Sequence, residues 1–245
     1  MPGLYNKIKP FVAVAVAASV FGSGVAAAQL MGRPRIWDVQ LGAHVYELPA
    51  AEFVDLACGS NGGPPGAPIG GFAQFAICPQ ELETDFHEIW FRYDDEMEYV
   101  ARAFRDPALV LQNMANTVLA HPVVFSLLID DAGIIQGYRV ITDQRAAADI
   151  RRNAATLSVH FKGRFGNDSW ACTDLPPSDG ETPIGGQFLK ERCDKVDQGR
   201  RLVIESHYFH KKGQAALDPR TQLPMVGEFE SLARLQVLWL GAERQ

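Results

Sequence analysis

Four cysteines in two similarly spaced pairs place the strongest constraint on how this chain can fold. They are Cys58, Cys78, Cys172 and Cys193, and no two of them form a C-x-x-C pair of the kind that structural zinc sites use. Four cysteines permit three pairings, among which sequence alone cannot choose. We predict bridges between neighbours, Cys58–Cys78 and Cys172–Cys193. Each would close a loop of about 20 residues and stabilise the fold by about 3 kcal/mol in the chain-entropy treatment.

The two enclosed segments have compositions that stay flexible unless they are tied. The first reads GSNGGPPGAPIGG and the second TDLPPSDGETPIGG. The first could suggest a phosphate-binding loop, but it lacks the lysine and Ser/Thr of a Walker A loop, and its prolines remove backbone donors. We therefore expect no nucleotide cofactor. We expect the bridge to hold the loop on the surface, where Asn61 to Ile69 would face a partner.

The N-terminal segment has the three parts of a secretory signal peptide. Lys7 and Lys9 precede an uncharged apolar run from Phe11 to Phe21, and small residues ending at Ala28 follow. A basic start, a short apolar core and an A-x-A-type site are typical of a cleaved signal. We predict that residues 1–28 are removed.

Export decides how the rest of the chain is interpreted. The remaining single domain, residues 29–245, would fold in an oxidising compartment, where disulfides form. We expect this compartment to be the periplasm of a Gram-negative bacterium. The alternative is a membrane-tethered subunit that keeps the Phe11–Ala28 segment as an anchor, although this segment is short and alanine-rich for a spanning helix.

The charge balance argues against a nucleic acid or an anionic membrane as partner. The chain has 23 basic and 29 acidic residues. Removing Lys7 and Lys9 with the signal leaves 21 basic residues against 29 acidic ones, a net charge of −8. Both of those partner classes favour a basic face.

Local patterns predict an α+β fold, in which a mainly antiparallel sheet is packed with several helices and carries two disulfide-closed loops. The clearest element is a β-hairpin at 121–130 and 133–143, whose β-branched residues flank an Asp-Ala-Gly turn. Because both of its faces are apolar, we expect it to lie centrally in the sheet. Further strands are predicted at 36–49, 86–94, 200–211 and 228–240, and helices at 49–58, 94–104, 106–119 and 144–165.

An acidic run, Asp94, Asp95, Glu96 and Glu98, could suggest a calcium site. It lacks the D-x-[DN]-x-[DN]-G spacing of a calcium-binding loop. We interpret it as a helix start, in which Asp95 and Glu98 form a capping box and the acids match the helix dipole.

The histidines and serines show no complete catalytic or metal-binding motif. His207 and His210 are three residues apart in a predicted strand, and this places them on opposite faces and argues against joint metal ligation. There is no G-x-S-x-G or S-x-x-K motif, and we interpret Ser126 and Ser158 as core hydroxyls. The remaining histidines, His44, His87, His121 and His160, have no recognisable partner in the sequence. We predict no metal site, and the catalytic residues, if any, are unknown.

A basic group, made of Arg200, Arg201, Lys211, Lys212 and Arg220, stands out in an acidic chain. It could form a patch for an anionic partner, or protect a solvated edge strand.

These observations favour an exported, non-catalytic binding or accessory module of the cell envelope, acting with an envelope protein partner. The alternative is an exported hydrolase whose site assembles from distant residues, because a triad or a carboxylate pair needs no sequence signature.

Overall fold

A nine-stranded antiparallel sheet forms the centre of the fold. The computed structural model describes residues 35–211 and 229–241. The strands are Phe53–Cys58 (β1), His87–Tyr93 (β2), Thr117–Val118 (β3), His121–Ile129 (β4), Ile135–Thr142 (β5), Ala171–Asp174 (β6), Leu189–Asp197 (β7), Arg200–His210 (β8) and Phe229–Trp239 (β9). Their order is β1-β2-β4-β5-β9-β8-β7-β6, and β3 pairs with β4. Each of these pairings is antiparallel, as predicted.

The predicted central hairpin is confirmed as β4 and β5. Phe125 pairs with Val140, and the two strands lie between β2 and β9. Their turn is closed by Asp130, whose Oδ1 accepts hydrogen bonds from the backbone of Ala132 and Ile134, each at 2.9 Å. An Asp side chain that binds the backbone two residues ahead is a common way to stabilise a turn.

One face of the sheet carries the main hydrophobic core. A single row crosses five strands through Phe91, Phe125, Val140, Leu235 and Ile204, all of them buried. The row is covered by residues 36–48, by the turn Phe72–Ile77 and by the helix Leu157–Arg164 (α4), which contribute buried apolar side chains to the same cluster. Fully burying each large apolar side chain contributes about 1.5–3 kcal/mol.

The expectation of several packed helices is not confirmed, because the helices of the described residues are few and short. Besides α4 they are Glu96–Ala103 (α1), Pro107–Asn113 (α2) and Ala148–Arg151 (α3). In α1 only Ala101 is buried, and α2 buries no residue.

Two elements near the N-terminus differ from their prediction. Residues 36–49 form 3-10 turns at Ile36–Asp38 and Val45–Glu47 in place of a strand. Residues 49–58, predicted as a helix, contain strand β1. The apolar residues of this short segment fit both periodicities, and pairing with β2 across a bulge between Val54 and Ala57 selects the strand.

The helix predicted at 144–165 is broken into α3, a 3-10 turn at Ala154–Thr156, and α4. Tertiary contacts hold the break, since Ser231 on β9 donates to the Arg152 carbonyl and accepts from the Ala155 amide. Arg151 is only 2% exposed, and its guanidinium stacks on Phe229 at 4.8 Å.

The predicted capping box at α1 is also wrong. Asp95 is the N-cap, but its side chain makes no capping bond. Glu98 instead accepts from Arg102 and from the backbone of Ala115, so it fixes the chain that returns from α2.

Both disulfides join the neighbours that the spacing predicts. Cys58 is bonded to Cys78, and Cys172 is bonded to Cys193 directly across the β6–β7 pair. The apolar return of the first loop docks as expected, through buried Phe72. Two such bonds indicate an oxidising, exported environment.

The opposite face of the sheet carries a buried polar network around Arg139. In the next row Ser126, Arg139 and Gln236 are neighbours on β4, β5 and β9. Arg139 is fully buried; its Nη2 lies 2.5 Å from Glu81 Oε2, its Nη1 lies 3.2 Å from Glu88 Oε2, and its Nε donates to Gln236 at 2.7 Å. Ser126, predicted to be a core hydroxyl, donates to the second oxygen of Glu88 at 2.6 Å.

The glycine-rich segment after Cys58 lies against this network. The amides of Gly59 and Asn61 donate to the carbonyl and the carboxylate of Glu88, both at 2.7 Å. A Cβ at Gly59 would lie 2.2 Å from the Glu88 side chain, so the approach requires glycine. Ile69 at the far end is buried. The segment is therefore partly docked on the sheet, and is not presented along its whole length as the sequence led us to expect.

Replacing Arg139 by Leu should lower the free energy of unfolding by about 3–5 kcal/mol, because it leaves the buried Glu88 carboxylate without its cation. Urea titration monitored by circular dichroism would measure the loss. The matched control is Arg92→Leu, which breaks exposed pairs with Asp55 and Asp95 and should cost about 1 kcal/mol or less. Adding Glu88→Gln to Arg139→Leu should recover part of the loss. A cost for Arg139→Leu equal to that of the control would contradict the role given to this network.

Candidate functional site

The basic group predicted from the sequence does not form one patch. Arg200 is the first residue of β8 and Lys211 directly follows its last residue, so the two lie roughly 35 Å apart at 3.3 Å per residue. Arg201 pairs with Asp194 at 2.8 Å, and Lys211 pairs with Glu230 at 2.5 Å. The edge-protection alternative is also wrong, because β8 lies between β7 and β9. Lys212 and Arg220 lie outside the described residues, as does the predicted signal peptide.

Apart from His121 and His160, which line a common cavity, the histidines and serines singled out from the sequence are dispersed. His207 and His210 both lie on β8, as predicted, so their side chains point to opposite faces. Ser158 donates to the Ala155 carbonyl. The ring of His87 lies between the Cys78 carbonyl and the Asp131 carboxylate, at 2.6 and 3.0 Å.

Among the described residues, three potential metal ligands lie close together, namely Cys172, Glu191 and Cys193. The sulfurs of the two cysteines are already bonded to each other. Among the same residues, no helix has the length and apolar character needed to cross a bilayer.

A cleft of about 700 Å³ lies at the end of the β7–β8 hairpin. The hairpin turns through Gln198 and Gly199, both with positive φ, as a two-residue turn requires. Opposite the turn, the cleft is bounded by Trp37 and by the end of α4. Its lining residues are Trp37, Arg164, Phe165, Asp168, Lys195, Asp197, Gln198 and Arg200.

Lys195 shapes one wall of the cleft. Its ammonium donates to the carbonyls of Phe165, Gly166 and Asp168, at 2.6, 3.3 and 3.1 Å. Trp170 donates to the Gly166 carbonyl as well, at 2.7 Å. These bonds satisfy carbonyls of the residues that directly follow α4 and fix the chain there. The Lys195 ammonium is therefore already bound to backbone carbonyls, and it stabilises this wall of the cleft.

Arg164 presents its charge at the cleft without a carboxylate partner. Its guanidinium carbon lies 4.3 Å from the centre of the Trp37 ring, a cation–π contact. Among the described residues, no ion pair within 4 Å involves Arg164. Partial burial lowers the pKa of Arg164, and the nearby Asp38 opposes this shift. The side chain nevertheless remains cationic at neutral pH, as arginine does in proteins.

Arg200 is the second guanidinium of the cleft. Its Nη2 donates to Gln198 at 3.1 Å and lies 3.4 Å from the Asp197 carboxylate. Its Nε is buried and has no hydrogen-bond partner among the described residues. Among the described residues, this atom therefore lacks a hydrogen bond that would offset its loss of solvation.

The cleft can therefore bind an anion through short-range contacts. Three basic side chains and two acidic ones line it, an excess of positive charge in a chain with a net charge of −6. Guanidinium groups bind carboxylates and phosphates through paired hydrogen bonds. Sequence reasoning missed this site because Trp37, Arg164 and Arg200 lie far apart along the chain.

Tyr138 lies beneath the cleft, with its ring 6.4 Å from Trp37. Burial raises the pKa of its phenol to about 12, although Arg200 and Arg164 attract the phenolate and act in the opposite direction. The hydroxyl is thus neutral under the cleft at physiological pH.

This pKa predicts how stability depends on alkaline pH. An unfolded tyrosine ionises near pH 10, whereas folded Tyr138 keeps its proton until about pH 12. Ionisation therefore stabilises the unfolded state relative to the folded state between pH 10 and about 12. The chain should lose about 1.4 kcal/mol of unfolding free energy per pH unit in this window from Tyr138 alone. The loss should be smaller by this amount in Tyr138→Phe and unchanged in Tyr99→Phe, whose ring is exposed. Denaturant unfolding at pH 9 to 12 checks this, and equal slopes in all three proteins would refute it.

Comparison with known proteins assigns no function to this site. No family model, curated protein or solved structure matches the chain.

Proposed function

We propose that this protein is an exported, non-catalytic binding module of the cell envelope whose cleft at the β7–β8 turn takes a small organic anion. The observation that carries the proposal is Arg164, a guanidinium held on Trp37 at the cleft with no carboxylate partner among the described residues. Surface arginines are commonly paired or solvated singly, whereas this one shares a concave site with a second guanidinium.

The size of the cleft favours an organic ligand over a single inorganic ion. A cleft of about 700 Å³ falls within the range of about 300–1,000 Å³ that small-molecule sites occupy. The lining is mainly polar, because Arg164 stacks on Trp37 and Arg200 lies over Phe165, so the ligand would be a polar organic anion.

The overall charge of the protein favours short-range recognition. The acidic chain repels anions at a distance, so the site cannot depend on long-range steering. Affinity would come from hydrogen bonds of Arg164 and Arg200 to carboxylate, phosphate or sulfate oxygens. An envelope protein partner that receives or supplies the ligand fits an accessory role.

The cellular location completes the proposal. We place the mature chain, residues 29–245, in the periplasm of a Gram-negative bacterium after removal of residues 1–28. The two disulfides support an oxidising compartment.

Replacing Arg164 by Gln should weaken anion binding about ten- to a hundredfold, which corresponds to the loss of one charged hydrogen bond. Isothermal titration calorimetry would be run against a panel of di- and tricarboxylates, aromatic carboxylates, phosphate esters and sulfate esters. The matched control is Arg152→Gln, an exposed arginine that does not line the cleft. The proposal fails if no member of the panel binds, or if the two variants bind equally.

Expression of the full chain in a Gram-negative host should give a periplasmic protein whose intact mass lacks residues 1–28. Thiol titration under denaturing, non-reducing conditions should find no free cysteine, because all four are paired. Recovery in the membrane fraction with the leader retained would instead support the anchored alternative and contradict export by a cleaved signal.

A further inference from the structure

A second cavity, of about 300 Å³, lies between the β3–β4 turn and the helical segment that runs from α3 to α4. It is separate from the cleft described above and shares no lining residue with it. Three side chains capable of binding a metal line it, namely His121, Asp149 and His160. Imidazole and carboxylate groups are the ligands that zinc and neighbouring divalent transition metals take in proteins.

His121 is the fixed member of this group. It is the first residue of β4 and is 8% exposed. Its Nδ1 lies 2.9 Å from the Pro122 carbonyl, which can only accept, so we assign the ring proton to Nδ1. The lone pair of the imidazole is then on Nε2.

Nε2 of His121 is buried and has no hydrogen-bond partner among the residues that the structure describes. A buried polar atom without a partner is uncommon and calls for an explanation, such as a bound ion. Metal-binding histidines usually anchor one ring nitrogen to a backbone carbonyl or a carboxylate and direct the other to the metal. His121 has the first half of this arrangement.

The other two groups can move. Asp149 on α3 and His160 on α4 are exposed, so their side chains are free to change rotamer. In the present conformation the three donor groups do not all lie within 4.8 Å of one another. Coordination would therefore require rotation of Asp149 and His160 towards the buried histidine.

The backbone beside His121 is strained. The two-residue turn between β3 and β4 consists of Leu119 and Ala120, with φ of 50° and 63°. Side chains other than glycine and asparagine disfavour this left-handed region, and such strain concentrates at functional sites. The turn forms one wall of the cavity and sets the position of His121.

We propose that His121, Asp149 and His160 form a binding site for a divalent transition-metal ion of the zinc type, with His121 Nε2 as the preformed ligand. The site stands apart from the anion-binding cleft, and neither depends on the other.

The test uses the full mature protein and zinc ions. Equilibrium dialysis against zinc, followed by metal analysis, should find one ion bound per chain. The protein loaded with cobalt(II) should show the visible absorption of nitrogen and oxygen coordination. His121→Gln and Asp149→Asn should each weaken binding about tenfold or more; the exposed position of Asp149 makes this second variant informative if His121→Gln is unstable.

Two matched controls separate the possible results. His44→Gln replaces a histidine outside the cavity, and Arg164→Gln disables the anion cleft on the same helix as His160. Both should bind zinc as the wild type does. The proposal is overturned if the wild type binds no zinc, if Asp149→Asn binds as tightly as His44→Gln, or if zinc is lost from His44→Gln instead.

Discussion

The burial of Arg139 in the middle of the sheet is the interaction on which the rest of the structure depends. A cation without solvent is tolerated only when carboxylates and hydrogen-bond acceptors surround it, and Glu81, Glu88 and Gln236 meet this need. Together with Arg139, these residues come from three separate parts of the chain, near positions 81–88, 139 and 236. Glu88 in turn holds the glycine-rich segment through two backbone amides. The network therefore ties the loop closed by Cys58 and Cys78 to the central strands, and leaves the opposite face of the sheet to the hydrophobic core.

The two candidate sites lie at opposite ends of one short helix, α4. Its last turn carries Arg164 to the cleft, and its first half carries His160 to the second cavity. The helix packs on β8 and β9 through Leu157 and Phe161, both buried in the core. A rigid helix on a rigid sheet is a suitable support for binding groups, because their positions are then set by packing.

Elements with strong local patterning were predictable, and those with weak patterning were not. The β4–β5 hairpin has β-branched runs on both sides of an Asp-containing turn, so its strands and its central place follow from the sequence. Residues 49–58 are too short for their periodicity to separate a helix from a strand, and pairing with β2 decided in favour of β1. Residues 144–165 have the periodicity of one helix, yet Ser231 from β9 binds the backbone at the break. The prediction of one basic patch was wrong because residues at the two ends of an extended strand lie far apart in space.

Cysteine spacing and loop composition favoured the two neighbour pairings that the structure shows, since short loops rich in glycine and proline bring neighbouring cysteines together. The sites are different in kind. Trp37, Arg164 and Arg200, like His121, Asp149 and His160, come from elements that only the sheet order places side by side. Neither group can be recognised from a local sequence pattern. Each site is formed by the packing of distant segments, and burial and hydrogen bonding across the whole chain decide which segments are in contact.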